Sequence, residues 1–286
     1  MDSLRALAAE AWAARERHFP PELAAVHPSR TQAISLTGPD CALGCAHCGG
    51  HYLKAMKPLA TLADGDDLGP SCLISGGCDH GGRVPISEHA GRLADLKGGR
   101  RFNLHTGLVD DADLPAIARL ADTVSFDLVG DDATIGEVLG LDRTVADYAA
   151  CYARLREHCR VVPHICVGLH GGAIRGEYRA LDLLKELGAD SLTFIIFTPT
   201  RGTRFADRQP PAVADTAKLL AAARTMFPAV PIQLGCMRPG GRYREDIDGW
   251  AVRLGVNAIV NPAPAALREA EKLGLAVVRR WECCVL

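Results

Sequence analysis

Cys41, Cys45 and Cys48 lie within PDCALGCAHCGG, residues 39–50. Their CxxxCxxC spacing lets one loop present three thiolates together, and Gly44, Gly49 and Gly50 relieve backbone crowding where the chain must approach inorganic sulfide. Four cysteines normally close a [4Fe-4S] cluster, so a triplet leaves one iron without a protein ligand and open to a substrate or cofactor. A zinc site or three unconnected thiols are the alternatives. The glycine-bearing loop, the strand expected just before it and a Ser-Gly-Gly segment downstream favour the cluster.

Other residues with chemical potential fall at strand ends. Gly76 and Gly77, within ISGGCD, read either as a backbone surface for a cofactor or as an ordinary strand-to-helix turn. Asp127 reads as a functional carboxylate or as a helix cap. His105 and His170 suit satisfied polar positions as well as functional ones. Arg238 and Arg242, beside Gly240 and Gly241, suit a carboxylate ligand or surface ion pairs. Eleven cysteines in a chain without an export signal are expected to stay reduced. Of these, Cys72, Cys151, Cys159 and Cys166 read as core or helix-face residues.

The elements that must position these groups alternate along the chain. Short β-branched or apolar runs begin at Gln32 (QAISLT), Cys72 (CLIS), Arg101 (RFNLHT), Thr123 (TVSFDLV), Val161 (VVPHICVGL), Ser191 (SLTFIIF), Pro231 (PIQLGC) and Asn257 (NAIVN). Helical patterns such as YRALDLLKELGA and APAALREAEKLG separate them. Near-continuous apolar strands alternating with helices predict a parallel sheet covered on its outside. The expected fold class is α/β, a (β/α)8 TIM-like barrel, with a partial (β/α)6 barrel plus C-terminal extension as the alternative. The polar segments after the strands then line the C-terminal face, where barrel enzymes keep their active sites. One domain over 1–286 is expected, with a cap helix at about 1–18 and a Cys-Cys tail at about 279–286.

The chain has 286 residues, 48% hydrophobic and 23% charged, so it can bury a large core and is not compositionally disordered. A net charge of −2 with interleaved signs offers no basic stripe, so nucleic acid is not an expected partner. No run of about 18 apolar residues offers a membrane span, and the charged N-terminal stretch lacks the apolar core of a secretory signal. A cytoplasmic location, with no membrane contact, is expected.

The triplet's spacing and its place after the first strand resemble the radical S-adenosylmethionine superfamily, and the resemblance extends over most of the chain. It implies a [4Fe-4S] cluster on Cys41, Cys45 and Cys48, the expected catalytic and metal-binding residues. The open iron then chelates the amino and carboxylate groups of S-adenosylmethionine, and a 5′-deoxyadenosyl radical takes hydrogen from a substrate carbon. His47 stands where that family usually has an aromatic residue. Ser75, Gly76 and Gly77 look like its glycine-rich segment contacting the methionyl amino group. Cys78 replaces the family's usual polar residue there, which leaves that contact to backbone carbonyls or to Asp79. The segment ending at Asp127 resembles the ribose-side segment, and Val167 to Gly172, with Gly168 and His170, the adenine-side one.

The finer resemblance, carried by the compact barrel, Leu234 to Pro239 and Cys48 to Leu53, is to the biotin synthase and lipoyl synthase-like branch, in particular a subunit of the two-component lipoyl synthases. It implies sulfur insertion at unactivated carbons of an octanoyl chain on a lipoyl-carrier protein. It also implies a second radical-SAM subunit and a reductant protein of ferredoxin or flavodoxin type. The sulfur source is usually a second, sacrificial iron–sulfur cluster. Cys78, Cys236, Cys283 and Cys284 are the ligands on offer, and they are expected to converge if the tail folds over the barrel mouth. Two readings stand beside this one: a radical mutase, methylase or lyase acting on a small metabolite, and a non-catalytic iron–sulfur or metal-binding protein.

Overall fold

The computed structural model describes residues 2–63 and 65–286. Its eleven strands form one sheet, all neighbours parallel, in the order β11-β1-β10-β9-β8-β7-β6-β5-β4-β2-β3. The strands are β1 Glu22–Val26, β2 Thr31–Ser35, β3 Lys57–Pro58, β4 Ser71–Ser75, β5 Arg101–His105 and β6 Thr123–Asp127. The remainder are β7 Val161–Val167, β8 Leu192–Ile196, β9 Ile232–Leu234, β10 Ala258–Val260 and β11 Ala276–Arg280.

The eight predicted strands are β2 and β4 to β10, and β1, β3 and β11 are additions. β1 bonds β10 while β2 bonds β4. Side-by-side parallel strands need a crossover of about a dozen residues. The four residues between β1 and β2 cannot supply one, so β2 continues the path of β1, and this single stretch of chain carries both ends of the ladder from β4 to β10. The arrangement is a TIM-like barrel whose first strand is split in height. The cap helix Asp2–His18 packs against the helix Val213–Met226; Met1, included in the predicted cap, lies outside the described residues. Among the described residues no helix is long and apolar enough to cross a membrane.

Strand alternation divides the side chains. Ile34, Ile74, Phe102, Leu104, Val124, Phe126, Ile165, Phe194 and Leu234 point outward and are at most 1% exposed within one core beneath the helices. Each such burial stabilises by about 1.5–3 kcal/mol. The alternate positions face inward: Ala33, Leu73, Asn103, His105, Ser125, Asp127, His164, Cys166, Thr193 and Gln233. A barrel interior is usually filled by layers of bulky branched side chains. Small and polar residues here leave a lumen, in which the Asp127 side chain keeps 48% and that of His105 33% of its accessible surface.

The C-terminal tail closes the floor of this lumen. The Arg30 amide donates to the Trp281 carbonyl (2.9 Å) and the Cys283 amide to the Thr31 hydroxyl (2.8 Å). Arg101 donates to Glu282 (2.6 Å), and Thr123 and Arg160 both donate to the Val285 carbonyl (3.3 and 2.6 Å). These partners begin, or immediately precede, β2, β5, β6 and β7. The tail therefore crosses the N-terminal end of the barrel, which corrects the expectation that it folds over the mouth. The reason lies in β11, which pairs with β1, the lower half of the split strand, and delivers the chain beneath β2.

Candidate active site

The loop after β2 is held from three sides. The Ala42 amide donates to the Cys78 carbonyl (2.9 Å), the Ala46 amide to the Val138 carbonyl (2.7 Å), and the Phe205 amide to the Ala46 carbonyl (3.0 Å). Val138 belongs to a π-helical turn, Ile135–Leu139, a rare geometry that recurs at functional sites. Its Leu139 carbonyl accepts from the Cys45 thiol at 3.7 Å. Gly44 and Gly49 take φ of 57° and 48°, so the loop turns where a side chain would be strained. A Cβ on Gly77 would stand 1.9 Å from the Asp40 carbonyl oxygen and 2.5 Å from the Cys41 Cα. Gly77 thus serves first to let the thiol loop lie directly on the end of β4.

The ligand atoms of Cys45, His47 and Cys48 all lie within 4.8 Å of one another. Cys41 flanks them, its thiol 3.9 Å from the Cys78 carbonyl. The Cys48 thiol is drawn down to about 4 by its hydrogen bond with Cys45, against the cost of burial and with help from His47; Cys45 is pushed up in return. The His47 Nδ1 is buried without a hydrogen-bond partner. Softly basic thiolates on a glycine loop, with an orphaned ring nitrogen beside them, fit a thiolate-bound iron–sulfur group.

Lower in the lumen, His105 Nε2 lies 3.6 Å from Asp127 Oδ2, and the rings of His105 and His164 meet edge to face at 5.8 Å. Burial opposes ionisation of Asp127, but His105, with His164 and His47, outweighs it and holds the carboxyl down at about 2. Asp127 likewise raises His105 against burial, while burial drives His164 down to about 4. Neither His164 nor Cys166 stood out in the sequence. Their i, i+2 spacing on a strand already predicted, one place after the Asp127 strand, was the available signal.

Several expected contacts are committed elsewhere. Asp79 accepts from the Gly81 and Arg83 amides (2.8 and 3.0 Å) and from Arg83 Nε (3.0 Å), so both oxygens brace its own turn, while the side chain stays partly exposed in a cleft it lines with Cys41 and Cys78. Ser75 donates back to the His105 carbonyl (3.5 Å), and a Cβ on Gly76 would meet only side-chain atoms of Leu36 and Thr37, at 3.4 Å. Gly168, at φ 74°, packs on Pro211 and donates to buried Glu177 (2.6 Å). His170 contacts Thr134 (3.2 Å) and Glu137 (3.5 Å) on the π-turn side. Arg238 is spent on Asp248 in a fully buried pair, and Arg242 pairs with Asp246 on the surface, so neither offers a free guanidinium to a substrate carboxylate.

The four thiols expected to form one set divide. Cys78 stays beside Cys41, pushed up to about 12 by burial. Cys283 and Cys284 lie on the tail, while Cys236, exposed just past the end of β9, is near enough to both for their charges to interact. Cys283 is lowered to about 6 by a hydrogen bond from Cys284, against burial, and accepts from Asn103 at 3.6 Å. Cys284 is raised by donating that bond, by burial and by the charge of Cys236.

No family model matches the chain, and no curated protein does. Solved structures do. Methylornithine synthase (PylB) superposes with a TM-score of 0.68 at 16% identity, over 97% of this chain and 90% of that one. The FeFe-hydrogenase maturase HydG from Carboxydothermus hydrogenoformans gives 0.63 at 16% identity, over 88% of this chain and 62% of its own. Streptococcus suis SuiB bound to S-adenosylmethionine gives 0.54 at 12%, over 82% and 58%. The chain shares their barrel. At these identities the likeness is one of fold, so function has to be argued from the site.

Proposed function

We propose that this chain is a radical S-adenosylmethionine enzyme. The observation that carries the reading is the gathering of Cys45, His47 and Cys48, with Cys41 on the same loop, at the mouth of a barrel whose lumen is lined by small and polar side chains. Those three cysteines would hold a [4Fe-4S] cluster. Cluster and cofactor together supply, when bound, a 5′-deoxyadenosyl radical able to take hydrogen from an unactivated carbon. The chain's own residues do the rest. The π-turn and the segment at Phe205 fix the height of the cysteine loop over the lumen. The tail seals the floor, so that water and stray hydrogen donors reach the reacting carbon only past the cofactor. Electrons come from a separate reductant protein of ferredoxin or flavodoxin type. A structure of the same fold was solved with S-adenosylmethionine bound, which supports the reading.

The test is anaerobic reconstitution with iron and sulfide, followed by dithionite and S-adenosylmethionine. Formation of 5′-deoxyadenosine is expected. A chain that carries its full complement of iron yet leaves S-adenosylmethionine intact overturns the proposal.

A second, narrower reading is sulfur insertion of the lipoyl or biotin synthase type, with an octanoyl chain on a carrier protein as substrate and a second radical-SAM subunit completing the reaction. Cys283 and Cys284 on the tail, with Cys236 near enough for their charges to interact, favour it. On this reading the reconstituted chain holds about eight irons, against about four for one cluster. A Cys283→Ala, Cys284→Ala variant then loses about half of the iron and keeps S-adenosylmethionine cleavage. Unchanged iron in that variant removes the reading.

A further inference from the structure

Directly paired positions on four successive strands turn polar side chains into the lumen. Asp127 pairs with His164, His164 with Thr193, and Thr193 with Gln233. Three of the four carry an unspent acceptor. The Gln233 Oε1 and Thr193 Oγ1 atoms are buried without a hydrogen-bond partner, in side chains whose residues are 7% and 1% exposed. His164 uses Nδ1 on the Val162 carbonyl (3.0 Å), which leaves Nε2 as a neutral acceptor. The fourth, Asp127, is an ionised carboxylate with half its side-chain surface open to the lumen. Beyond Gln233 the row is closed, since its next partners, Ala258 and then Ala24, are covered by Cys284 of the tail.

Buried acceptors without donors are uncommon in folded proteins, because each costs about 1–3 kcal/mol unless something donates to it. A row of acceptors ending in a carboxylate calls for a ligand with several N–H donors and a positive charge. We infer that the row Asp127–His164–Thr193–Gln233 seats a protonated amine carried by the substrate, below the cofactor and above the tail. This rests on the radical-enzyme reading for what happens to the neighbouring carbon. The seat itself is a binding property and is tested as one. Asp127 already faces His105, so the ammonium competes with that ring for the same carboxylate, and Gln233 and Thr193 decide where it settles.

The experiment is a ligand-observed NMR titration of the reconstituted full chain with S-adenosylmethionine present, using n-butylammonium, n-butanol and butyramide as probes. The ammonium is expected to bind at least about tenfold tighter than the alcohol or the amide, as charge-assisted hydrogen bonds are roughly twice as strong as neutral ones. Asp127→Asn and Gln233→Leu are each expected to erase that preference while leaving butanol binding in place, which shows that the lumen is still formed. Equal binding of all three probes by the wild-type chain overturns the seat, and its acceptors are then served by water. Preference for butyramide overturns the charge assignment. An Asp127→Asn chain that loses S-adenosylmethionine by equilibrium dialysis but keeps the ammonium preference places Asp127 on the cofactor and also overturns the proposal. Failure of the radical reading is separate, because it appears as absent 5′-deoxyadenosine whatever the amine does.

Discussion

Gly77→Ala is expected to strip the chain of bound iron almost as fully as loss of Cys41, Cys45 and Cys48 together, while the barrel stays folded. The added methyl would sit 1.9 Å from the Asp40 carbonyl oxygen and 2.5 Å from the Cys41 Cα, both backbone atoms that cannot rotate away. Overpacking of this kind costs about 1–3 kcal/mol when the neighbours can shift. Here the neighbour that shifts is the loop carrying the first thiolate. A displaced Cys41 leaves two sulfurs and His47, which is too few thiolates to hold the cluster and its open iron. Gly76→Ala is the control, because its nearest contacts lie at 3.4 Å and involve only the side chains of Leu36 and Thr37. Iron and acid-labile sulfide after identical reconstitution are expected to fall about tenfold or more in Gly77→Ala and to stay near wild type in Gly76→Ala, with both variants melting cooperatively. Wild-type iron in Gly77→Ala would mean that the loop tolerates movement and that Cys41 is not held where the structure places it.

The elements that build the site were legible because their patterns are strong. Each of β2 and β4 to β10 is an apolar run bounded by turn residues, and the triplet follows the first of them. β11 escaped because AVVRR is exposed at all five positions and so carries neither alternation nor a buried run. β1 lies between Pro20-Pro21 and Pro28, which reads as loop, and β3 is two residues long. Missing β1 and β11 reversed the tail, since only their pairing shows that residue 281 emerges at the floor. The roles of Asp79 and Arg238 were hidden for another reason. Their partners, Arg83 and Asp248, are set by the path of a turn and by the docking of the helix Gly241–Arg253, and outside a helix separations of four and ten places single out no pair. The lumen was legible only after the strands were, when alternate residues proved to be Asn103, His105, Ser125, Asp127 and His164 rather than bulky aliphatics.

Removing one side of the Arg238–Asp248 pair should be the largest purely structural loss in the chain. Asp248 accepts from Arg238 Nε at 2.7 Å, from its second terminal nitrogen at 2.8 Å and from the Ala263 amide at 2.8 Å, and neither side chain of the pair has accessible surface. Arg238 also donates to the carbonyls of Gly235 (2.7 Å) and Asn261 (3.2 Å). The pair therefore ties the end of β9 to the end of β10 and sets the course of the segment that carries Cys236. Asp248→Ala leaves a guanidinium buried without its counter-charge and is expected to cost about 3–5 kcal/mol. The double variant Arg238→Met, Asp248→Leu removes both charges, keeps most of the volume, and is expected to recover most of that loss. Denaturant unfolding of the metal-free chain measures both. The two substitutions should be strongly non-additive, as expected of directly bonded partners. If the double variant is as unstable as Asp248→Ala, the pair acts mainly through the carbonyls and amide it ties together rather than through its charges, and the course of the Cys236 segment depends on hydrogen bonds that no apolar replacement can supply.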